Sequence, residues 1–327
     1  RANLFGCDLR NTDLRFVRLD RADLRGACLR GANRTAASLI GADLREGQIA
    51  FKDEKQGLRL MKHEKRPGEL DHVIFSGADL SGARMTGILA VATDFSDANL
   101  TGAIMVQATM RKANFSGANL TGADLAGADV AGADMTGAIM VDTKTTGCNL
   151  READTTGVLN APADVYIDER PLSDFVSLHE AWAKTNGATG TRQSLPGIDF
   201  RLAGDMRKRV LTTLDAEGAC FFGLDMSGVE LQGANLVNAD LRRCNLSGAD
   251  LRGVRLIGAK LSHANLSGAN IGPLELGGGR IMRSDLSRAV LNHANLSGAD
   301  LTRARMLEIQ AEHVIDKGCN YMLTERA

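Results

Sequence analysis

From Phe221 to Met306 every fifth residue is apolar, eighteen positions in succession. The same five-residue ruler, in other frames, fits two earlier stretches. Leu4 to Ile49 gives ten centres, nine of them apolar, with Arg34 the exception. Phe75 to Thr155 gives seventeen, fifteen apolar, with Thr145 and Thr155 the exceptions. A helix repeats at 3.6 residues and a strand at 2.0, so neither alone produces this spacing. Two positions before each centre sits a small residue, as at Ala22, Ala78, Ala118 and Ala234. Asp or Asn stands between, and Ser, Thr or Arg and then often Gly follow. Ala, Asp/Asn and Leu alternate inward, outward, inward, as in a short strand. Five is odd, so the chain must turn before the next unit or its facing would reverse. Gly26, Gly82, Gly102 and Gly298 supply residues suited to that turn.

A second period sets the size of the coil. Phe75-Ser-Gly-Ala, Phe95-Ser-Asp-Ala and Phe115-Ser-Gly-Ala are twenty residues apart, as are Leu246-Ser-Gly-Ala, Leu266-Ser-Gly-Ala and Leu286-Ser-Arg-Ala. Twenty residues are four units, which predicts a four-sided coil. Stacked coils then place Phe75, Phe95 and Phe115 in one core ladder, and Leu246, Leu266 and Leu286 in another, at about 4.8 Å per step.

The Ala-(Asp/Asn)-Leu-X-Gly unit resembles the pentapeptide repeat proteins. The resemblance implies an all-β solenoid, a right-handed quadrilateral β-helix. Its 45 or so units give about eleven coils in two segments, with a short α-helix between them. The predicted organisation is an N-terminal β-helix over 1–157 with an inserted loop at 50–72, and a linker over 158–196. A C-terminal β-helix follows over 197–306, and a tail over 307–327.

The interruptions carry the chain's individuality. The 50–72 loop holds Lys52, Lys55, Arg59, Lys62, Lys65 and Arg66 against Asp53, Glu54, Glu64, Glu69 and Asp71. It reads as a solvated projection, and its basic residues are candidates for partner binding. In the linker, a helix is expected over about 173–186, with Ser173 as N-cap, Asp174 in the first turn and Gly187 as the stop. Phe175, Leu178 and Trp182 share its apolar face. Trp182, the single Trp, packs this helix onto a coil or covers an open column end, and is also a candidate partner contact. Asp205 falls on a centre, whereas a one-residue shift admits Met206 and Leu211, so the frame over 197–220 stays open. The tail is expected to form a capping helix with Leu307, Ala311, Val314 and Ile315 on one face. The chain opens mid-repeat at Arg1-Ala-Asn-Leu, so further residues are expected beyond its ends.

Composition narrows the function classes. The net charge is −1 and aromatic content 4%, which suits a thin core column and names no partner. Block one carries nine Arg against six acids, the middle block five basic against nine acidic residues, and block three fourteen against eleven. Cys7, Cys148 and Cys244 occupy the small inward slot, and no cysteine pair has zinc spacing. A reduced, cytoplasmic, bacterial setting is the expectation. Asp94, Asn114, Asp134 and Asp154 share one side as a polar stripe. His263 and His293, thirty residues or one and a half coils apart, are expected on opposite sides. No phosphate loop, nucleophile elbow or metalloprotease motif is present, and no cofactor or metal site is expected.

The chain therefore reads as a non-enzymatic interaction scaffold for a protein partner, alone or within a larger chain. Homo-oligomers or end-to-end stacking suit its open ends. The resemblance adds a second reading, since some family members mimic duplex DNA and bind DNA gyrase in quinolone protection or inhibition. Two net basic blocks and the helical break argue against that mimicry, and direct nucleic-acid binding is not expected. A third reading is anion or membrane-surface binding by the Arg-rich first coils.

Overall fold

The computed structural model describes residues 2–46, 50–53, 57–60 and 69–326, the two short segments at the level of the backbone. The chain divides into two compact units, Arg1–Ala161 and Pro162–Ala327. Both are built from the same local unit. The N–H of each centre donates to the carbonyl of the outward residue one coil on, as from Phe75 to Asp94 at 2.7 Å. The next inward residue closes the corner, as Ala78 N–H does on the Phe75 carbonyl at 2.9 Å. The second turn residue takes a left-handed φ, +62° at Gly77 and +54° at Asp97, which is why Gly recurs there. The outward Asp or Asn accepts the N–H two residues on, as Asp94 does from Ser96 at 3.0 Å. That bond gives the repeat its acidic or amide position, since the turn N–H would otherwise lack a protein acceptor.

Outward residues pair in parallel at steps of twenty, for example Asp94 with Asn114 and Asn114 with Asp134, giving four sides. In the first unit the Phe75, Phe95 and Phe115 rings are fully buried and stacked, 5.3 and 5.0 Å apart. The pairing of Cys28 with Glu69, forty-one residues on, shows where extra chain leaves the coil. That excursion contains an antiparallel hairpin of β1 (Ala50–Asp53) and β2 (Gly57–Leu60).

The second unit starts with a small hairpin, β3 (Tyr166–Ile167) and β4 (Arg170–Pro171), followed by α1 (Leu172–Lys184). The helix begins one residue before the expected Ser173 cap. Pro171 holds the N-cap position without a side-chain cap, and Ser173 lies inside the first turn. Its end is closed at Thr185, whose hydroxyl donates to the Ala181 carbonyl. Leu172 and Val176 join the core of the coils that follow. His179 is buried, with Nδ1 accepting the Gln193 N–H at 3.0 Å and Nε2 donating to the Thr212 carbonyl at 3.1 Å. The Glu180 carboxylate accepts the Val210 N–H at 3.3 Å and pairs with Arg209 at 3.0 Å. Helix side chains thus satisfy backbone groups that a preceding coil would satisfy elsewhere, and α1 caps the column. The frame left open at 197–220 resolves into one extra residue near Leu202 and Gly204: Asp199 pairs with Cys220, twenty-one on, and Val210 with Glu230, twenty on.

Two expectations about the course of the coils fail in this unit. The tail forms no helix. Residues 307–326 continue the coil, with Gln310, Ile315 and Asn320 bridging back, and β7 (Arg305–Met306) pairs in parallel with β8 (Glu325–Arg326). The second failure is the Leu246, Leu266, Leu286 ladder. Leu266 follows Leu246, but its N–H donates to Asn295, so Leu296 comes next, while Leu256 donates to Asp285 and brings Leu286 onto Leu256. The cause is a hairpin of β5 (Leu274–Glu275) and β6 (Ile281–Met282) inserted between coils. Arg255 pairs with Asp285, thirty residues on. Ten extra residues are two whole units, so the apolar ruler runs through the insertion unbroken. Its nominal centres there, Leu276 and Ile281, are 45% and 39% exposed.

Candidate interaction surfaces

The β5–β6 hairpin is seated on turn glycines. A Cβ at Gly253 would lie 2.8 Å from Leu274 Cβ and 3.2 Å from Met282, and one at Gly233 would touch the same two side chains. The absence of side chains at these corners lets Leu274 and Met282 pack down. The tip, Gly277-Gly-Gly-Arg280, and the apolar Leu276 and Ile281 face solvent. A fixed base with an exposed apolar tip is a preorganised contact surface. No break in the ruler marks this hairpin; the three successive glycines were the available signal.

Of the basic residues predicted in the other insertion, Lys52 lies on β1 and Arg59 on β2. Lys55, Lys62, Lys65 and Arg66 lie outside the described residues. Trp182 is half-buried at the end of α1, its ring 5.6 Å from His179 and close against Gly187.

The arginines of the first coils are largely neutralised at source. Arg10, Arg15, Arg25 and Arg45 each fork onto the Asp two residues before, as Nε and Nη2 of Arg25 do on Asp23 at 2.8 and 2.7 Å. Asp-X-Arg recurs in the second unit at Asp205/Arg207, Asp240/Arg242 and Asp250/Arg252. These hydrogen bonds hold the Asp13 and Asp205 carboxyls below the usual range. A groove of about 480 Å³ on the first coils is lined by Arg21, Arg25 and Arg84 with Asp23 and Asp43.

The inserted hairpin also overturns the placement of the histidines. His263 and His293 are neighbours, not opposites, because the thirty residues between them make one coil plus the insertion. Their rings stack at 4.8 Å, and His313 continues the column at 5.1 Å. All three sit in the left-handed turn slot, with φ of +60°, +59° and +55°. The rings are near-parallel, so their nitrogens lie side by side instead of converging on a point. Burial, His313 and Arg243 push the central His293 down to about 4. The sign follows from proton counting. Between pH 4 and about 6.5 the folded chain binds fewer protons than the unfolded one, so stability rises with pH. Stability is thus lost as pH falls through this window. The wild type is expected to lose about 2 kcal/mol more than His293→Asn between pH 7 and pH 4, a value discounted for the ring's partial exposure. Urea unfolding of both proteins across that range checks it; parallel pH profiles would reject the coupling.

The family model for pentapeptide repeats matches eight copies, over residues 1–33, 93–130, 118–157, 219–256, 234–271 and 282–309, more than half of the chain. The chain belongs to the pentapeptide repeat family. As a pentapeptide repeat protein it is a β-helix whose coils are those described above. Among solved structures it is similar to HetL, a pentapeptide repeat protein involved in heterocyst differentiation regulation from the cyanobacterium Nostoc sp. Strain PCC 7120. The two are 20% identical over 96% of this chain and 90% of that one, with a TM-score of 0.24. Rfr23 from the cyanobacterium Cyanothece 51142 is 21% identical over 49% of this chain and 91% of that one, with a TM-score of 0.20. QnrB1, a plasmid-mediated fluoroquinolone resistance protein, is 14% identical over 89% of this chain and 92% of that one, with a TM-score of 0.18. No curated protein matches the sequence. Among the described residues, no helix is long and apolar enough to cross a membrane.

Proposed function

We propose that this pentapeptide repeat protein is a non-enzymatic scaffold that binds a protein partner through its coil faces and inserted hairpins. The observation that carries this reading is the β5–β6 hairpin, anchored by Leu274 and Met282 on Gly233 and Gly253 while Leu276 and Ile281 face solvent. Anchors packed on the turn glycines reduce the ordering cost of binding, and exposed apolar side chains supply contact area. The family is generally non-enzymatic, which agrees with the lack of a recognised catalytic motif. A reduced cytoplasmic setting belongs to the same reading, with all six cysteines as free thiols. The basic β1–β2 insertion and Trp182 are further candidate contacts.

The phase of the repeat allows a clean test. Excising Pro273–Met282 leaves Ile271-Gly-Arg-Ser-Asp-Leu286, a regular unit. It puts Arg283 in the left-handed slot that Arg243, Arg288 and Arg303 already occupy. The excised protein is expected to keep the wild-type far-UV spectrum and to lose at least tenfold in affinity for a partner identified by cross-linking of the wild type, about 1.4 kcal/mol. Unchanged affinity after this excision and after removal of 50–68 would reject the hairpin reading.

A second reading, anion or membrane-surface binding by the first coils, is supported by Arg21 and Arg84 in the groove beside the clamped Asp23 and Asp43. The gyrase reading has less support, because Arg clamps interrupt the acidic ladders that duplex mimicry requires.

A further inference from the structure

Arg34 occupies a core centre, the place of a Leu, and is fully buried. The Leu14 N–H donates to Asn33 and the Arg34 N–H to Ile74, so Leu14 and Phe75 flank Arg34 along the column. Around the same coil the core residues are Leu24, Leu29 and Leu39, all buried. Nε, Nη1 and Nη2 of Arg34 have no acceptor among the described residues. One face of the guanidinium meets the Phe75 ring, 6.0 Å from its centroid. The buried Arg242 and the half-buried Arg201 are treated differently: each forks onto an Asp two residues away. Burial lowers Arg34 only to about 10, so it remains a cation at neutral pH. A buried, uncompensated charge is among the most destabilising features a core can carry.

We infer that Arg34 is a binding site for one small monovalent anion of the halide class, chloride in the cell, held inside the first unit's column. The chemistry of the walls selects that class. The guanidinium supplies the unpartnered donors, and the buried core residues around it, Leu24, Leu29, Ala32, Ala37, Leu39 and Phe75, are apolar. A carboxylate or phosphate would bring further oxygens that these walls cannot satisfy. A halide is spherical, takes several N–H donors at once and tolerates apolar contact elsewhere. Its charge balances the guanidinium's, so the pair enters the core as a neutral unit.

Thermal unfolding of the full chain in sodium chloride against sodium gluconate, at constant ionic strength, tests this. The wild type is expected to gain about 3 °C or more as chloride replaces gluconate, and Arg34→Leu to gain nothing. Crystals grown in bromide are expected to show one anomalous peak about 3.3 Å from the Arg34 guanidinium. Should Arg34→Leu fail to fold, Arg34→Met and the wild-type bromide crystals provide the same decision. Equal gains in wild type and variant, or no bromide peak at Arg34, would overturn the site.

Discussion

Phe95→Ala is expected to destabilise the first unit by about 4 kcal/mol, within the range measured for large-to-small core changes. Phe95 is the middle of three stacked rings, so truncation removes contacts on both sides, at 5.3 Å to Phe75 and 5.0 Å to Phe115. Each lost aromatic pair adds about 1 kcal/mol to the area term. The walls cannot collapse into the gap, because each coil is held by backbone bonds to the coils on either side, as Phe95 N–H is to Asn114 at 2.7 Å. Phe95→Leu is the informative control. Leu is the usual centre of the repeat, and this change is expected to cost about 1.5 kcal/mol. Urea unfolding of the two variants measures both values. A loss below 1 kcal/mol for Phe95→Ala would show that the column repacks, contrary to the rigidity argued here. The effect is expected in the first unit alone, whose core is a separate cluster from that of the second.

The fold was legible in the sequence because the five-residue period is a direct image of strand and turn. The twenty-residue overtone placed Phe75, Phe95 and Phe115 correctly for the same reason. The misplaced Leu286 ladder and the misplaced histidines share one origin: a ruler detects only what changes its phase. The one-residue excess near Gly204 shifts the frame and so shows in the sequence. The ten-residue β5–β6 hairpin does not, and so Leu276 and Ile281 count as core while they face solvent. The His263, His293 and His313 column was hidden by that error alone. In the tail the apolar residues move from the centre to the slot two positions earlier. Ile309, Val314 and Cys319 pack toward the core, while Asp316 takes a centre. With Asp316 at one centre and only Ala311 and Tyr321 at the others, the spacing imitates a helix face. Arg34 is visible as an exception to the ruler, but its lack of an acceptor among the described residues is a property of its surroundings, which no sequence pattern encodes.

Gly190→Ala is expected to cost the second unit about 4 kcal/mol and to unseat α1. Two effects combine. Gly190 has φ +74°, a conformation that costs a residue with a Cβ about 1–2 kcal/mol. The added Cβ would also overlap the Leu178 carbonyl oxygen and approach the Trp182 nitrogen to 2.7 Å and Ala181 Cβ to 2.9 Å. The first two are helix backbone, which cannot move aside as a side-chain tip would. The chain leading from Gly190 is fixed as well, since Thr191 N–H donates to that same Leu178 carbonyl at 3.1 Å. The clash is therefore relieved only by lifting α1. Lifting it withdraws Leu172 and Val176 from the core and takes His179 and Glu180 from the backbone groups they satisfy at Gln193, Thr212 and Val210. Trp182, the single Trp of the chain, sits on this helix and reports the event directly. Gly190→Ala is expected to red-shift its emission under native conditions and to lower the unfolding temperature by about 10 °C. Gly197→Ala provides the contrast: its φ is +67°, but a Cβ there meets nothing within 4 Å, so only the conformational cost remains. Equal losses for the two variants would mean that backbone strain, and not the close approach to α1, sets the requirement for glycine at 190.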